Sequence, residues 1–270
     1  MAIRIERDGK VATVIHSRIA ARNAMDPDSA VALTEAFMML DADPETAAIV
    51  FWGEGGAFCA GWDLKYAQAF TEADRFETEI VEGLAFPPGD APAPRGPMGP
   101  SRLEMSKPLI AAVEGPAVAG GMELALWCDV RVMAEDAYFG VYCRRWGIPL
   151  IDGGTVRLPR LVGQGRALEI IMTGRKVLAD EALRIGLCEM VVPKGGARAA
   201  AEAMAQEIVR FPQGAMLADR ASAISGHGLT VREALAREWE GGVRTIATEG
   251  AAGAGRFAAG KGRGGDFSSI

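Results

Sequence analysis

The apolar run Leu109-Ile110-Ala111-Ala112-Val113 has no polar face to turn toward water, so it reads as a short strand covered on both sides. The chain then passes through Gly115-Pro116-Ala117-Val118-Ala119-Gly120-Gly121 into an apolar helix from Met122 to Cys128. A strand, a glycine turn and a helix start leave backbone N–H groups unpaired at the end of a helix dipole, a place that attracts a negative oxygen. Glu123 stands in the first turn of this helix among Met122, Leu124, Ala125 and Leu126. It either complements its own helix dipole or, if burial raises its pKa, works as an acid or base beside an anion site. This stretch alone does not choose between the two.

A second turn of the same type lies upstream. Ala47 to Trp52 is a continuous apolar strand, followed by Gly53-Glu54-Gly55-Gly56 and then Ala57-Phe58-Cys59-Ala60-Gly61-Trp62-Asp63-Leu64. Small residues at Ala60 and Gly61 allow backbone to approach a ligand closely, and Asp63 can cap a helix. Two such turns can each give one N–H to the same oxygen.

The remaining elements follow from local signals. Ile3 to Arg7 and Val11 to Ile15 alternate around Asp8-Gly9, a hairpin signature. Asp26-Pro27 opens a helix with an N-cap and a proline at its first position. His16, with no acid or nucleophile beside it, reads as a satisfied structural histidine. Thr71 to Glu82 has a helical, amphipathic pattern. Phe86 to Pro100 holds too many prolines and glycines for regular structure, and reads as a mobile surface loop, either lying over a site or serving as a plain connection. Asp152, before Gly153-Gly154-Thr155, fits an ordinary N-cap on residue types alone. Residues 1–195 read as a β/α body and 196–270 as a helical region.

Composition removes several classes of function. Lys plus Arg at 29 against Asp plus Glu at 35 gives a net charge of −6, against the basic face of a general nucleic-acid binder. No apolar run approaches the ~20 residues of a membrane span, and the charged, alternating N-terminus is unlike a signal peptide. Cys59, Cys128, Cys143 and Cys188 are widely spaced and only two histidines occur, so neither a metal site nor a disulfide framework is expected, and a cytoplasmic setting is. Neither a P-loop, a dinucleotide fingerprint nor a nucleophile elbow is present.

Taken together, Arg22-Asn23-Ala24-Met25, Phe58 to Leu64, Lys107 to Gly115 and Ala119 to Ala125 resemble the crotonase (enoyl-CoA hydratase/isomerase) superfamily. Phe139-Gly140, Gly153-Gly154-Thr155, Leu158-Pro159 and Ile171 to Arg175 continue the likeness in order. The resemblance implies an α/β fold, a spiral of ββα units with a helical C-terminal trimerisation region. It also implies an acyl-CoA thioester substrate, no cofactor beyond the coenzyme A of that substrate, and a homotrimer or a hexamer built of two trimers. By position, the Ala60 and Gly120 amides match the oxyanion hole, and Glu123 matches the first catalytic glutamate of the hydratases. Ala20, Ala21, Arg22, Gly61, Trp62, Asp63 and Leu64 match the CoA-binding cleft, with Arg22 and the Lys261 region candidates for its phosphates. Cys143, counted among the substrate-binding residues, stands where the second hydratase glutamate belongs. Asp152 matches an aspartate that dienoyl-CoA isomerases and naphthoate synthases place before the same glycine pair, which makes it a catalytic candidate. The expectation is a hydratase working through Glu123 and Asp152. The alternatives are a double-bond isomerase, another reaction of the superfamily (hydrolase or carbon–carbon lyase), or a catalytically silent acyl-CoA-binding or assembly protein.

Overall fold

The structure, a computed structural model, describes residues 2–68, 73–89 and 91–262. The chain folds as two compact units, residues 1–205 and 206–270. In the first, β1 (Ile3–Asp8) and β2 (Val11–His16) form the expected hairpin, with α1 (Pro27–Ala42) and β3 (Ala48–Gly53) following. Asp26 caps α1, its Oδ1 accepting from Ser29 N at 2.9 Å. After the short helices α2 (Leu64–Ala67) and α3 (Ala73–Phe76), a π-helical turn covers Glu77–Glu82. Thr71 and Glu72, the first residues of the helix expected there, lie outside the described residues. Then come β4 (Leu109–Val113), β5 (Pro116–Val118), α4 (Gly120–Trp127), β6 (Val130–Ala134) and β7 (Tyr138–Gly140). The unit continues through a 3-10 turn (Tyr142–Trp146), α5 (Gly154–Val162), α6 (Gln164–Thr173), β8 (Lys176–Leu178), α7 (Ala179–Arg184) and β9 (Met190–Val192).

These strands make two sheets, one in the order β1-β2-β3-β4-β6-β9 and one in the order β5-β7-β8. All pairs are parallel except β1–β2 and β7–β8. The arrangement is a mixed α/β fold of ββα units followed by a helical C-terminal region. Every residue of β4 is buried, as the absence of a polar face requires. Phe37 of α1 meets Phe51 edge-on at 5.5 Å and Trp127 at 4.8 Å, which packs α1 and the end of α4 together at the large sheet. His16 is fully buried, but both ring nitrogens lack a hydrogen-bond partner. It is structural, as expected, yet not satisfied. Burial first, and the nearby Arg18 charge second, push it down to about 4, so it stays neutral.

Helix α8 (Ala197–Val209) crosses the boundary between the units, and α9 (Gln213–Ser225) and α10 (Val231–Thr245) form an antiparallel pair. Thr230 and Glu233 close a capping box on α10, and Glu249 accepts from Gly214 N and Ala215 N at 2.8 Å each. The helical path continues through a π turn (Ile246–Gly250) into α11 (Ala251–Ala258).

Candidate active site

Residues 58–63 run between two neighbours, and their hydrogen bonds decide which amides face the site. Toward β5, Cys59 N donates to Pro116 O (3.2 Å) and Val118 N donates to Cys59 O (3.0 Å). Toward the 22–25 loop, Ala60 N donates to Arg22 O (3.0 Å), Met25 N to Gly61 O (2.7 Å) and Asp63 N to Met25 O (2.8 Å). In a planar trans peptide the N–H points opposite to the preceding C=O. Because the Cys59 carbonyl faces β5, the Ala60 N–H faces away from β5 and from Gly120. This corrects the expected pairing of Ala60 with Gly120: the Ala60 amide is committed to the fold. The Gly61 carbonyl faces Met25, so the Trp62 N–H points back to the side where α4 begins. Gly61 is required here, since its φ is +90° and a Cβ would stand 2.9 Å from Ala119 Cβ and 3.0 Å from Val118 O.

Gly120 is the first residue of α4, so its N–H has no partner within the helix, and no described residue accepts it. It is aimed by Ala119, whose φ of 52° and ψ of −127° are rare for a residue with a side chain. Such a conformation costs on the order of 1–3 kcal/mol and is held by its surroundings; here Ala119 N donates to Gly140 O at 2.8 Å.

Two buried carboxyl groups stand beside this turn. Glu123 is 2% exposed, and its Oε1 accepts from Asp152 N (2.9 Å) and Gly154 N (2.8 Å). Its Oε2 accepts no bond from the described residues and is not enclosed by them, so it opens to the cavity that Glu123 lines. Burial, and then the charge of Asp152, push Glu123 up to about 8, against the two N–H donors. Asp152 does not cap α5, whose N-cap is Gly153 without a side-chain bond. Its Oδ1 instead accepts from Met98 N at 3.0 Å and from the Ser101 hydroxyl. Burial raises its pKa and these donors oppose the rise. Cys143 lies on the same cavity, its thiol held protonated by burial and by the charge of Glu123. The four cysteines are free.

Of the stretch expected as a mobile surface loop, the described residues of 86–95 are exposed or half-buried, but the end that supplies Met98 is not at the surface. Residues 96–101 are buried. Gly96 and Gly99 exchange hydrogen bonds, Gly96 N to Gly99 O at 2.8 Å and Gly99 N to Gly96 O at 2.9 Å. A Cβ on Gly96 would overlap Asp152 Oδ1 and Ser101 Oγ, and one on Gly120 would overlap the Met98 thioether. Composition marked this stretch as irregular, but only the fold shows that it seats Asp152.

The cavity measures about 260 Å³ and is bounded by Ala60, Trp62, Gly120, Glu123, Cys143 and Asp152 together with apolar side chains. Outside it, Ala20 and Arg22 are exposed and Ala21 half-buried around a 3-10 turn (Ile19–Ala21), with Arg22 left-handed at φ 51°. Asn23 braces this loop, donating to Glu54 O and Ala57 O and accepting from Arg18 N. Asp63 pairs with Arg18 at 3.1 Å and caps Lys65 N, and Leu64 lines the cavity. Lys261 is exposed in the second unit. Among the described residues no cluster of His, Cys, Asp and Glu could hold a metal, and no helix is long and apolar enough to cross a membrane.

The sequence model of the family described as enoyl-CoA hydratase/isomerase matches residues 6–84 and 101–239. The chain belongs to the enoyl-CoA hydratase/isomerase family. It is 36% identical over 211 residues to enoyl-CoA hydratase EchA19 of Mycobacterium tuberculosis, covering 76% of this chain and 73% of that one. It is 34% identical over 250 residues to the short-chain-enoyl-CoA hydratase of Clostridium acetobutylicum, covering 91% and 89%. A crystal structure of an enoyl-CoA hydratase from Mycobacterium tuberculosis superposes with a TM-score of 0.83 at 32% identity, covering 96% of both chains. The protein is therefore an enzyme of the crotonase superfamily. The family model skips residues 85–100, the stretch whose last residues seat Asp152.

Proposed function

We propose that this enzyme adds water across the double bond of a 2-enoyl-CoA thioester. The supporting observation is Glu123: one oxygen is held by two amides, and the other opens into the cavity next to Gly120 and within the field of Asp152. Attack at C3 pushes charge onto the thioester oxygen, and the N–H groups of Gly120 and Trp62 are the donors for it. One such donor is typically worth about 3–4 kcal/mol in the transition state. Glu123, which keeps its proton up to about 8, delivers that proton from Oε2 to C2. Asp152, steadied by Met98 N and Ser101, takes a proton from the attacking water. The proton then returns from Asp152 to Glu123 through water, which restores the pair. The names of the relatives support hydration. The exposed loop around Ala20, Ala21 and Arg22 takes the CoA, with Arg22 facing its phosphates; the exposed Lys261 is a further candidate for phosphate contact. Exposed Val231, Leu235, Trp239 and Ile246 on the second unit support burial between copies, in a trimer or hexamer.

A second reading has its own support. Cys143 bears no charge where a second glutamate would stand, and moving a double bond needs a single carboxylate to carry one proton between carbons. Measuring hydration of a trans-2-enoyl-CoA beside conversion of a 3-enoyl-CoA to its 2-enoyl isomer separates the two. Hydration lost at least about a hundredfold in both Glu123→Gln and Asp152→Asn is the expected result. Isomerisation without hydration in the wild type refutes the hydratase. Full hydration by Asp152→Asn removes Asp152 from the mechanism.

A further inference from the structure

We propose that the acyl group taken by this site is uncharged, apolar and ring-bearing, an aryl or alicyclic 2-enoyl chain. The inference rests on the acyl-CoA reading of the site and goes on to its substrate class.

Glu123, Asp152 and Gly120 meet at one end of the cavity, and among the described residues no Lys or Arg lines it. A carboxylate at the far end of an acyl chain would lie against apolar side chains with no cation among the described lining residues to pair with it, which is unfavourable. That disfavours acyl groups derived from dicarboxylic acids. The remaining wall carries Trp62, Phe76, Tyr142 and Trp146, whose faces and edges suit a flat or cyclic group. The cavity measures about 260 Å³. A four-carbon acyl group would leave much of that lining without contact, and unfilled apolar space forfeits dispersion.

The width of the mouth argues the same way. Leu64, Phe76, Trp146 and Ile151 all border the cavity and remain between 41 and 65% exposed, a cluster of apolar surface that a bulky acyl group would cover. Near the thioester the opposite holds. Met98 is 1% exposed, lies directly on Gly120, and is fixed through its N–H to Asp152. The space available to the acyl group therefore opens toward Trp146 rather than beneath the oxyanion donors. Pro97 and Met98 belong to the stretch that the family model skips.

Saturated thioesters test the proposal without depending on turnover, because they have no double bond to hydrate. Dissociation constants are measured calorimetrically for dihydrocinnamoyl-, butyryl-, octanoyl- and glutaryl-CoA. Dihydrocinnamoyl-CoA is expected to bind at least about tenfold tighter than butyryl-CoA, with glutaryl-CoA the weakest. Trp146→Ala, a change on an exposed 3-10 turn, should weaken dihydrocinnamoyl-CoA about fivefold and butyryl-CoA less than about twofold. Butyryl- or glutaryl-CoA binding as tightly as the aryl ester overturns the inference, as does octanoyl-CoA binding tighter than it. The expected binding order with no turnover of any enoyl thioester would sink the hydratase reading and leave the substrate class standing. No binding of any thioester would overturn both.

Discussion

Replacing Glu123 by glutamine separates the two things this side chain does. The amide oxygen of glutamine can still accept from Asp152 N and Gly154 N, which lie 2.9 and 2.8 Å from Oε1. What glutamine cannot do is ionise. In the folded chain burial and the charge of Asp152 push Glu123 from 4.5 up to about 8. An unfolded chain releases that proton near 4.5 while the native chain still holds it. The stabilising contribution is thus complete below 4.5 and is lost as pH rises toward about 8. At roughly 1.4 kcal/mol per pH unit the full effect approaches about 5 kcal/mol, and water entering the cavity brings it down to about 2–4 kcal/mol. Urea unfolding of both proteins at pH 5, 7 and 9, at one protein concentration, measures it. The variant should gain on the wild type by that amount between pH 5 and 9 while losing at least about a hundredfold in kcat. A stability difference that does not change with pH would show that Glu123 ionises normally, and the acid role assigned to it would fall.

His16 should give the opposite slope: with its pKa depressed to about 4 from 6.5, native stability drops as pH falls through that window, by up to roughly 3 kcal/mol. His16→Leu should flatten the loss in urea unfolding at pH 7 and 4.5, and an unchanged slope would refute the argument. Gly96→Ala pushes a methyl group into Asp152 and Ser101, so kcat should fall about a hundredfold with little change in affinity for a saturated thioester and an unaltered circular dichroism spectrum. Cys143→Ser should keep kcat within about threefold, because a thiol that stays protonated takes no part in proton transfer; a loss beyond fiftyfold would give Cys143 a chemical role.

What the sequence disclosed, it disclosed through local chemistry. The Asp8-Gly9 hairpin, the Asp26-Pro27 helix start and the buried β4 each follow from a handful of adjacent residues, and each stands where expected. Strands β5 and β8, three residues each, are too short to show any alternation and were not legible. Helix α11 falls in the stretch that reads as helical, but its richness in glycine and alanine hid its own bounds. The exchange of Ala60 for Trp62 as the amide that faces α4 could not be read at all, since it depends on the Cys59 carbonyl pairing with Val118, nearly sixty residues away. Asp152 looked like a cap because residue type cannot show that its oxygen is already taken by Met98 and Ser101. The burial of residues 96–101 was hidden for the same reason: prolines and glycines mark an irregular path without saying what the path leans on.

In the proposed reaction the main chain, not any side chain, supplies the groups that face the thioester oxygen, from positions 62 and 120. A substitution at Trp62 can therefore reshape the acyl pocket without dismantling the electrophilic half of the site. Backbone polarity stays fixed while the ring of acids, thiols and apolar walls around it drifts, and a scaffold built this way can acquire a new reaction one side chain at a time.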